Sequence, residues 1–121
     1  LLICALLDTD TLKKYLNTAH SLGLDAIAET HNKKEMESAI AAGADIIGIN
    51  NRNLKTFNVD LNTTKDLASL VPKDKILISE SGIKTKEDIR FVKENGAKAV
   101  LIGETFMRSK DKKAMFEELN S

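Results

Sequence analysis

Short, unbroken apolar runs alternate with stretches of helical spacing along all 121 residues of this chain. Leu1–Leu7, Leu24–Glu29, Asp45–Asn50, Lys75–Glu80 and Lys98–Ile102 are too short for helices and too continuously apolar for half-solvated strands, so they read as strands buried on both faces of a parallel sheet. Between them, Leu12, Tyr15, Leu16, Ala19 and Leu22 form one helical face, stopped by Gly23. Asn32 followed by Glu35 reads as a cap and its capping-box partner, opening a helix with Met36, Ala39 and Ile40 inward and Gly43 at its end. Leu61, Leu67, Ala68 and Leu70 make a third helix before Pro72, and Thr85 with Asp88 caps a fourth, with Ile89 and Val92 inward. Gly96 ends that helix, and Ala114, Met115, Phe116 and Leu119 give a fifth its stripe. Gly23-Leu24-Asp25, Gly43-Ala44-Asp45 and Gly96-Ala97-Lys98 punctuate the pattern as a weak repeat between helix and strand. Five strands alternating with five helices predict one α/β domain, residues 1–121, with a parallel sheet. A domain seldom opens inside a buried strand, so the Leu1–Leu7 run also predicts that the chain is a piece of something longer.

Two architectures satisfy this alternation, an open doubly wound sheet and a slice of a (β/α)8 barrel, and both put chemistry at the carboxyl ends of the strands. Glu29 stands there after Ala26, Ile27 and Ala28. Partial desolvation raises a carboxyl pKa toward the range useful to a general base. A solvated loop carboxylate or a cap for the next helix fits Glu29 equally well. Asn50-Asn51-Arg52-Asn53 is denser in hydrogen-bonding groups than a connection requires. Asn donates and accepts at once, Arg offers a planar fork for carboxylate or phosphate, and the density favours a site over turn chemistry. Ser81-Gly82 and Gly103-Glu104 end consecutive strands before helical patterns, where glycine lets a ligand approach and helix-start amides bind phosphate. Glycine also simply makes turns. The Glu104 carboxylate would repel a phosphate, which leaves that residue a backbone role.

Lys plus Arg and Asp plus Glu number 18 each. That balance argues against a protein devoted to nucleic acid or an anionic membrane, though not against a local phosphate site. Cys4 is the only cysteine. It has no intrachain disulfide partner, which points to a reducing cytoplasm, and its apolar strand makes it buried and inert. His20 and His31 have no partners at metal spacing, so no metal site is expected. Phe106 and Met107 read as core filler.

Taken together, Ala28-Glu29-Thr30-His31, Ile47-Gly48-Ile49-Asn50-Asn51-Arg52-Asn53-Leu54, Ser79-Glu80-Ser81-Gly82-Ile83 and Leu101-Ile102-Gly103-Glu104 resemble the ends of strands five to eight of indole-3-glycerol phosphate synthase. The Asn-Asn-Arg-Asn-Leu run with Glu-Ser-Gly-Ile is the specific part. The glycine features alone suit other phosphate-binding barrels, phosphoribosylanthranilate isomerase among them. The family closes the indole ring of tryptophan biosynthesis, converting 1-(2-carboxyphenylamino)-1-deoxyribulose 5-phosphate to indole-3-glycerol phosphate with loss of carbon dioxide and water and without a cofactor. The resemblance implies a truncated barrel of strands four to eight, its C-terminal half. It implies Glu29 as the strand-five general base, Asn50 as the strand-six amide on the substrate and Arg52 nearby. Ser81 is implied as the strand-seven hydroxyl, and Gly82, Gly103 and the Glu104 amide as the phosphate cradle.

The family's catalytic lysines lie on its first and third strands, and its chains are roughly twice this length. None of Lys33, Lys55 and Lys84 matches those lysines. The expectation is a phosphorylated small-molecule substrate, negligible activity of these residues alone, and self-association through sheet edges left without partners. A non-catalytic phosphate-binding fragment is the alternative from another class.

Overall fold

A computed structural model describes residues Leu1–Ser121. The strands are β1 (Leu2–Ile3), β2 (Ile27–Thr30), β3 (Ile46–Asn50), β4 (Ile76–Glu80) and β5 (Ala99–Leu101). The helices are α1 (Thr9–Ser21), α2 (Lys33–Ala41), α3 (Asn62–Ala68), α4 (Lys86–Glu94), α5 (Glu104–Arg108) and α6 (Lys112–Leu119). All four strand pairings are parallel and the order in space is the order in sequence. A doubly wound sheet reverses its strand order at a switch point, and this one never does. Five parallel strands wound in one direction are a partial (β/α) barrel.

Register assigns each strand residue to a face. Glu29 pairs with Gly48, Gly48 with Ile78, Asn50 with Glu80 and Glu80 with Leu101, so these residues share one face. Ala28, Ile47, Leu77 and Val100 share the other. The helices cover that second face. Ala28, Ile47 and Leu77 are buried there in a cluster with Leu12 and Leu16 of α1, Met36 and Ala39 of α2, Leu67 of α3 and Val92 of α4. Truncating one of the largest of these, such as Met36→Ala, is a cavity change worth about 2–5 kcal/mol. The first face is the concave interior of a barrel, and only part of it is covered: Ile76 is 46% and Leu101 47% exposed.

Caps set the helix starts. The Asp8 carboxylate accepts from the Thr11 amide at 2.7 Å and opens α1. Asn32 accepts from the Glu35 amide at 2.9 Å, and Thr85 with Asp88 forms a complete capping box for α4.

Three expectations are corrected. Leu1–Leu7 is not one strand: only Leu2–Ile3 pairs, and Cys4–Leu6 turns into a 3-10 segment that buries Cys4 while leaving Leu6 76% exposed. An apolar run reports burial and not conformation, and here it turns the chain off the sheet. The last unit carries two helices and not one, because Ser109 is extended and breaks α5 from α6. Tyr15, Leu22, Phe116 and Met107 are exposed, although their spacing or apolarity predicted a core role. The positions facing the sheet from α1 are Leu12 and Leu16, one helical turn apart.

Candidate active site

Three adjacent strands end in polar residues on the concave face: Glu29 on β2, Asn50 on β3 and Glu80 on β4. All three are nearly buried, at 7%, 9% and 2% exposure. The Asn50 Nδ2 donates to Glu29 Oε1 at 3.2 Å, while Asn50 Oδ1 accepts from the Arg52 amide at 3.0 Å. Asn50 therefore ties the carboxylate of one strand to the loop leaving the next. Glu80 reaches the same place by another route. A β-carbon built on Gly48 would lie 2.1 Å from Glu80 Oε1, so the glutamate arm crosses β3 over the one position there that has no side chain. It crosses toward Glu29, whose strand partner is Gly48. Burial first, and then the Glu29 carboxyl, push the Glu80 pKa up to about 8. Two facing carboxyls in a poorly hydrated site do not both ionise readily. Glu80 Oε1 has no hydrogen-bond partner of its own, and a proton shared between the two carboxyls supplies one.

The dense Asn50–Asn53 segment divides its work. Asn51 is 2% exposed and structural: its Nδ2 donates to Ser79 Oγ and to the Ser81 carbonyl, each at 3.0 Å. Its Oδ1 accepts from the Thr64 amide at 3.1 Å and the Thr64 hydroxyl at 2.8 Å. Asn53 makes the turn chemistry of the loop, accepting from the Lys55 and Thr56 amides. Asn50 and Arg52 face the cavity. The Arg52 guanidinium donates to Glu104 Oε2 at 2.5 Å, and Arg108 holds the other oxygen at 3.0 Å. These two hydrogen bonds, Arg52 first, hold the Glu104 carboxyl below its ordinary range.

By fixing the Ser81 carbonyl, Asn51 also fixes a left-handed turn. Ser81 has φ +67° and Gly82 φ +83°. A β-carbon at Gly82 would lie 2.5 Å from Val59 Cγ1 and 3.2 Å from Leu61 Cδ2, so both backbone and packing demand glycine there. Gly103 is different. Its φ of −118° suits any residue, and a β-carbon there meets nothing within 4 Å. Neither fold nor packing requires glycine at 103, which leaves open space for something to approach its backbone. Gly82→Ala is therefore expected to cost about 1–3 kcal/mol of folding free energy in chemical denaturation, and Gly103→Ala less than about 0.5 kcal/mol.

Glu29, Asn50, Arg52, Ser81, Gly82, Gly103 and Glu104 all line one cavity of about 1040 Å³, and Glu80 and Lys84 join them. Glu80 was legible as a strand-end carboxylate but was not singled out. Its partner across the sheet is visible only once β2, β3 and β4 are known to be neighbours. His31 has partners of another kind than metal ligands: its ring lies between Glu29 and Glu35. No cluster of three or more His, Cys, Asp or Glu side chains is placed to hold a metal ion. No helix is long and apolar enough to cross a membrane.

The family model for indole-3-glycerol phosphate synthase matches residues 1–119. The chain belongs to that family. The synthase of Ruminiclostridium cellulolyticum is 56% identical over 119 residues, covering 98% of this chain and 46% of that one. That of Caldanaerobacter subterraneus subsp. tengcongensis is 56% identical over 108 residues, covering 89% and 42%. This indole-3-glycerol phosphate synthase family chain thus spans less than half the length of those relatives. Among solved structures, thiamine phosphate pyrophosphorylase from Pyrococcus furiosus superposes with a TM-score of 0.72 at 21% identity, over 90% of this chain and 52% of that one. N-acetylmannosamine-6-phosphate 2-epimerase from Clostridium perfringens gives 0.65 at 21% identity, over 78% and 42%. At such identities the likeness speaks for the fold alone, a segment of a β/α barrel.

Proposed function

We propose that the cavity is the general-base and phosphate side of an indole-3-glycerol phosphate synthase site, carried on the equivalents of strands four to eight, the C-terminal half of the barrel. In the whole protein the reaction is the decarboxylating ring closure of 1-(2-carboxyphenylamino)-1-deoxyribulose 5-phosphate, in the cytoplasm and without a cofactor. The observation that carries this reading is the convergence of two buried carboxyls and one amide, from three adjacent strand ends, on a cavity shared with the turns at Gly82 and Gly103.

Closure at the carboxyl-bearing ring carbon interrupts the benzene ring, which loss of carbon dioxide restores. The dehydration that completes the indole then requires an acid at the departing hydroxyl and a base at the adjacent carbon-bound proton. Glu29, oriented by Asn50, is the base. Glu80, held protonated up to about 8, is a neutral donor beside it near neutral pH. Asn50 hydrogen-bonds the substrate, and Arg52 turns from Glu104 to an incoming anion. The Ser81 hydroxyl and the amides of Gly82, Gly103 and Glu104 take the phosphate. In support, α5 begins with no side chain capping it, whereas the first amides of α4 are engaged by the Thr85–Asp88 box. Arg108 remains on the Glu104 carboxylate when Arg52 leaves it, which lessens its repulsion of a phosphate.

The catalytic lysines of the family belong to strands that these residues do not match. The 121 residues alone are therefore expected to turn over negligible substrate in a steady-state assay. Inorganic phosphate is expected to shift the amide resonances of residues 82, 83 and 103–105, and Gly103→Ala to weaken that binding without loss of stability. Turnover near the rate of a full-length synthase would refute the division of labour, and phosphate shifts scattered elsewhere would refute the cradle. The same reading makes β1 and β5 the edges of an interrupted barrel sheet, each with one strand neighbour. Exposed parallel edges invite pairing, so light scattering is expected to find self-association, and a monodisperse monomer would count against it.

A further inference from the structure

His31 is a nearly buried titratable side chain set against Glu29, and the proposed chemistry gives it no role. It follows β2 directly and its side chain is 13% exposed. Its Nδ1 lies 3.0 Å from Glu35 Oε2, and its Nε2 lies 3.3 Å from Glu29 Oε1. Glu35 is itself fixed. Its Oε2 accepts from the His31 amide at 2.7 Å, its Oε1 from Asn32 Nδ2 at 3.1 Å, and its own amide donates to the Asn32 cap of α2 at 2.9 Å.

An ionised carboxylate accepts hydrogen bonds and donates none, so Nδ1 carries a proton toward Glu35. The buried Nε2 has no hydrogen-bond partner and faces only Glu29. That contact is favourable when it contains a proton, on Nε2 while Glu29 is ionised or on Glu29 once it has accepted one. We propose that His31 is a positioning residue for Glu29: anchored through Glu35 to the cap of α2, it aims the Glu29 carboxyl into the cavity. Asymmetry within the pair follows. Glu29 has an imidazole and an amide beside it, whereas Glu80 has the Glu29 carboxyl, the more distant N-terminal ammonium and an unpartnered oxygen. The Cys4 thiol packed nearby is held protonated, pushed up to about 11 by burial and by the charges of Glu35 and Glu29, so it supplies no competing charge.

The inference rests on Glu29 being the base, and the test separates the two. In the isotopically labelled 121-residue chain, long-range proton–nitrogen spectra are expected to show Nδ1 of His31 protonated throughout the folded pH range. Carboxyl-carbon titration is expected to show the Glu29–Glu80 pair holding its proton to a pH about one unit higher in His31→Phe, because the side chain placed to donate to Glu29 is gone. Glu35→Gln is expected to move it the same way by less. His31→Gln, which keeps a donor of similar reach, serves if the Phe variant does not fold, and is expected to shift the pair upward by less. Full-length synthase bearing these residues is expected to lose about tenfold in kcat with KM little changed, its pH profile displaced in step with the carboxyl titration. An unprotonated Nδ1, or carboxyl titrations unchanged by these replacements, overturns the inference. Full activity of Glu29→Gln with the carboxyl coupling intact overturns the base assignment instead.

Discussion

Replacing Gly48 with alanine is expected to drive the Glu80 carboxyl off β3 while leaving the sheet intact. The added β-carbon would sit 2.1 Å from Glu80 Oε1 and 2.9 Å from its Cδ, and 3.1 Å from Ile27 Cγ2. The closest atoms are the end of a flexible side chain, so Glu80 moves and the strands stay. Once displaced toward water and away from Glu29, it titrates in the ordinary carboxyl range. A carboxyl raised to about 8 from 4.5 binds more protons folded than unfolded between those values. The stabilisation it contributes is therefore complete below the lower value and is lost as pH rises through the upper one. Wild-type unfolding free energy should fall across that window, relative to Glu80→Gln, by on the order of 2 kcal/mol. That is well short of about 1.4 kcal/mol per pH unit, because Glu80 lines a cavity into which its ionised carboxylate can turn. Gly48→Ala should abolish the slope as the Gln variant does. Denaturant melts at pH 5 and pH 8 read it, and a slope surviving in Gly48→Ala would mean that Glu80 does not cross the sheet there.

That crossing marks the boundary of what sequence reading reached. Capping is local, so Asn32 with Glu35 and Thr85 with Asp88 were legible from spacing alone, and strand-end polarity placed Glu29, Asn50 and the turns after β4 and β5 on one rim. Contacts between strands depend on register, which no spacing along one strand contains. Glu80 meets Glu29 only because β3 lies between them with Gly48 in the gap. The same limit hid the division within Asn50–Asn53: four hydrogen-bonding residues look alike in a row, and alternation sends Asn51 into the buried network with Thr64 and Ser79. For His31 the partner four residues on, Glu35, lies within reach of spacing along one helix start, whereas Glu29 beside its other nitrogen does not follow from it. The opening run failed for a simpler reason, because burying Cys4 takes a turn of 3-10 helix as readily as a strand.

The two carboxyls differ in environment, and that difference predicts unequal effects of the same replacement. Glu29→Gln preserves shape and the contact with Asn50 but removes the only basic site of that side chain. Tested within a full-length synthase carrying these 121 residues in place of its own segment, it should lower kcat by about 10²–10⁴-fold with KM little changed. Glu80→Gln replaces a carboxyl already held neutral up to about 8 by a neutral amide of the same size, which still donates toward Glu29. Its loss should be about tenfold or less near neutral pH, and it should grow only if Glu80 also surrenders its proton during turnover. Equal losses in the two variants would mean that the proton sits on either carboxyl indifferently, and the base assignment would then fail. An unimpaired Glu29→Gln enzyme would remove Glu29 from the chemistry altogether, leaving its burial beside His31 and Asn50 a feature of folding.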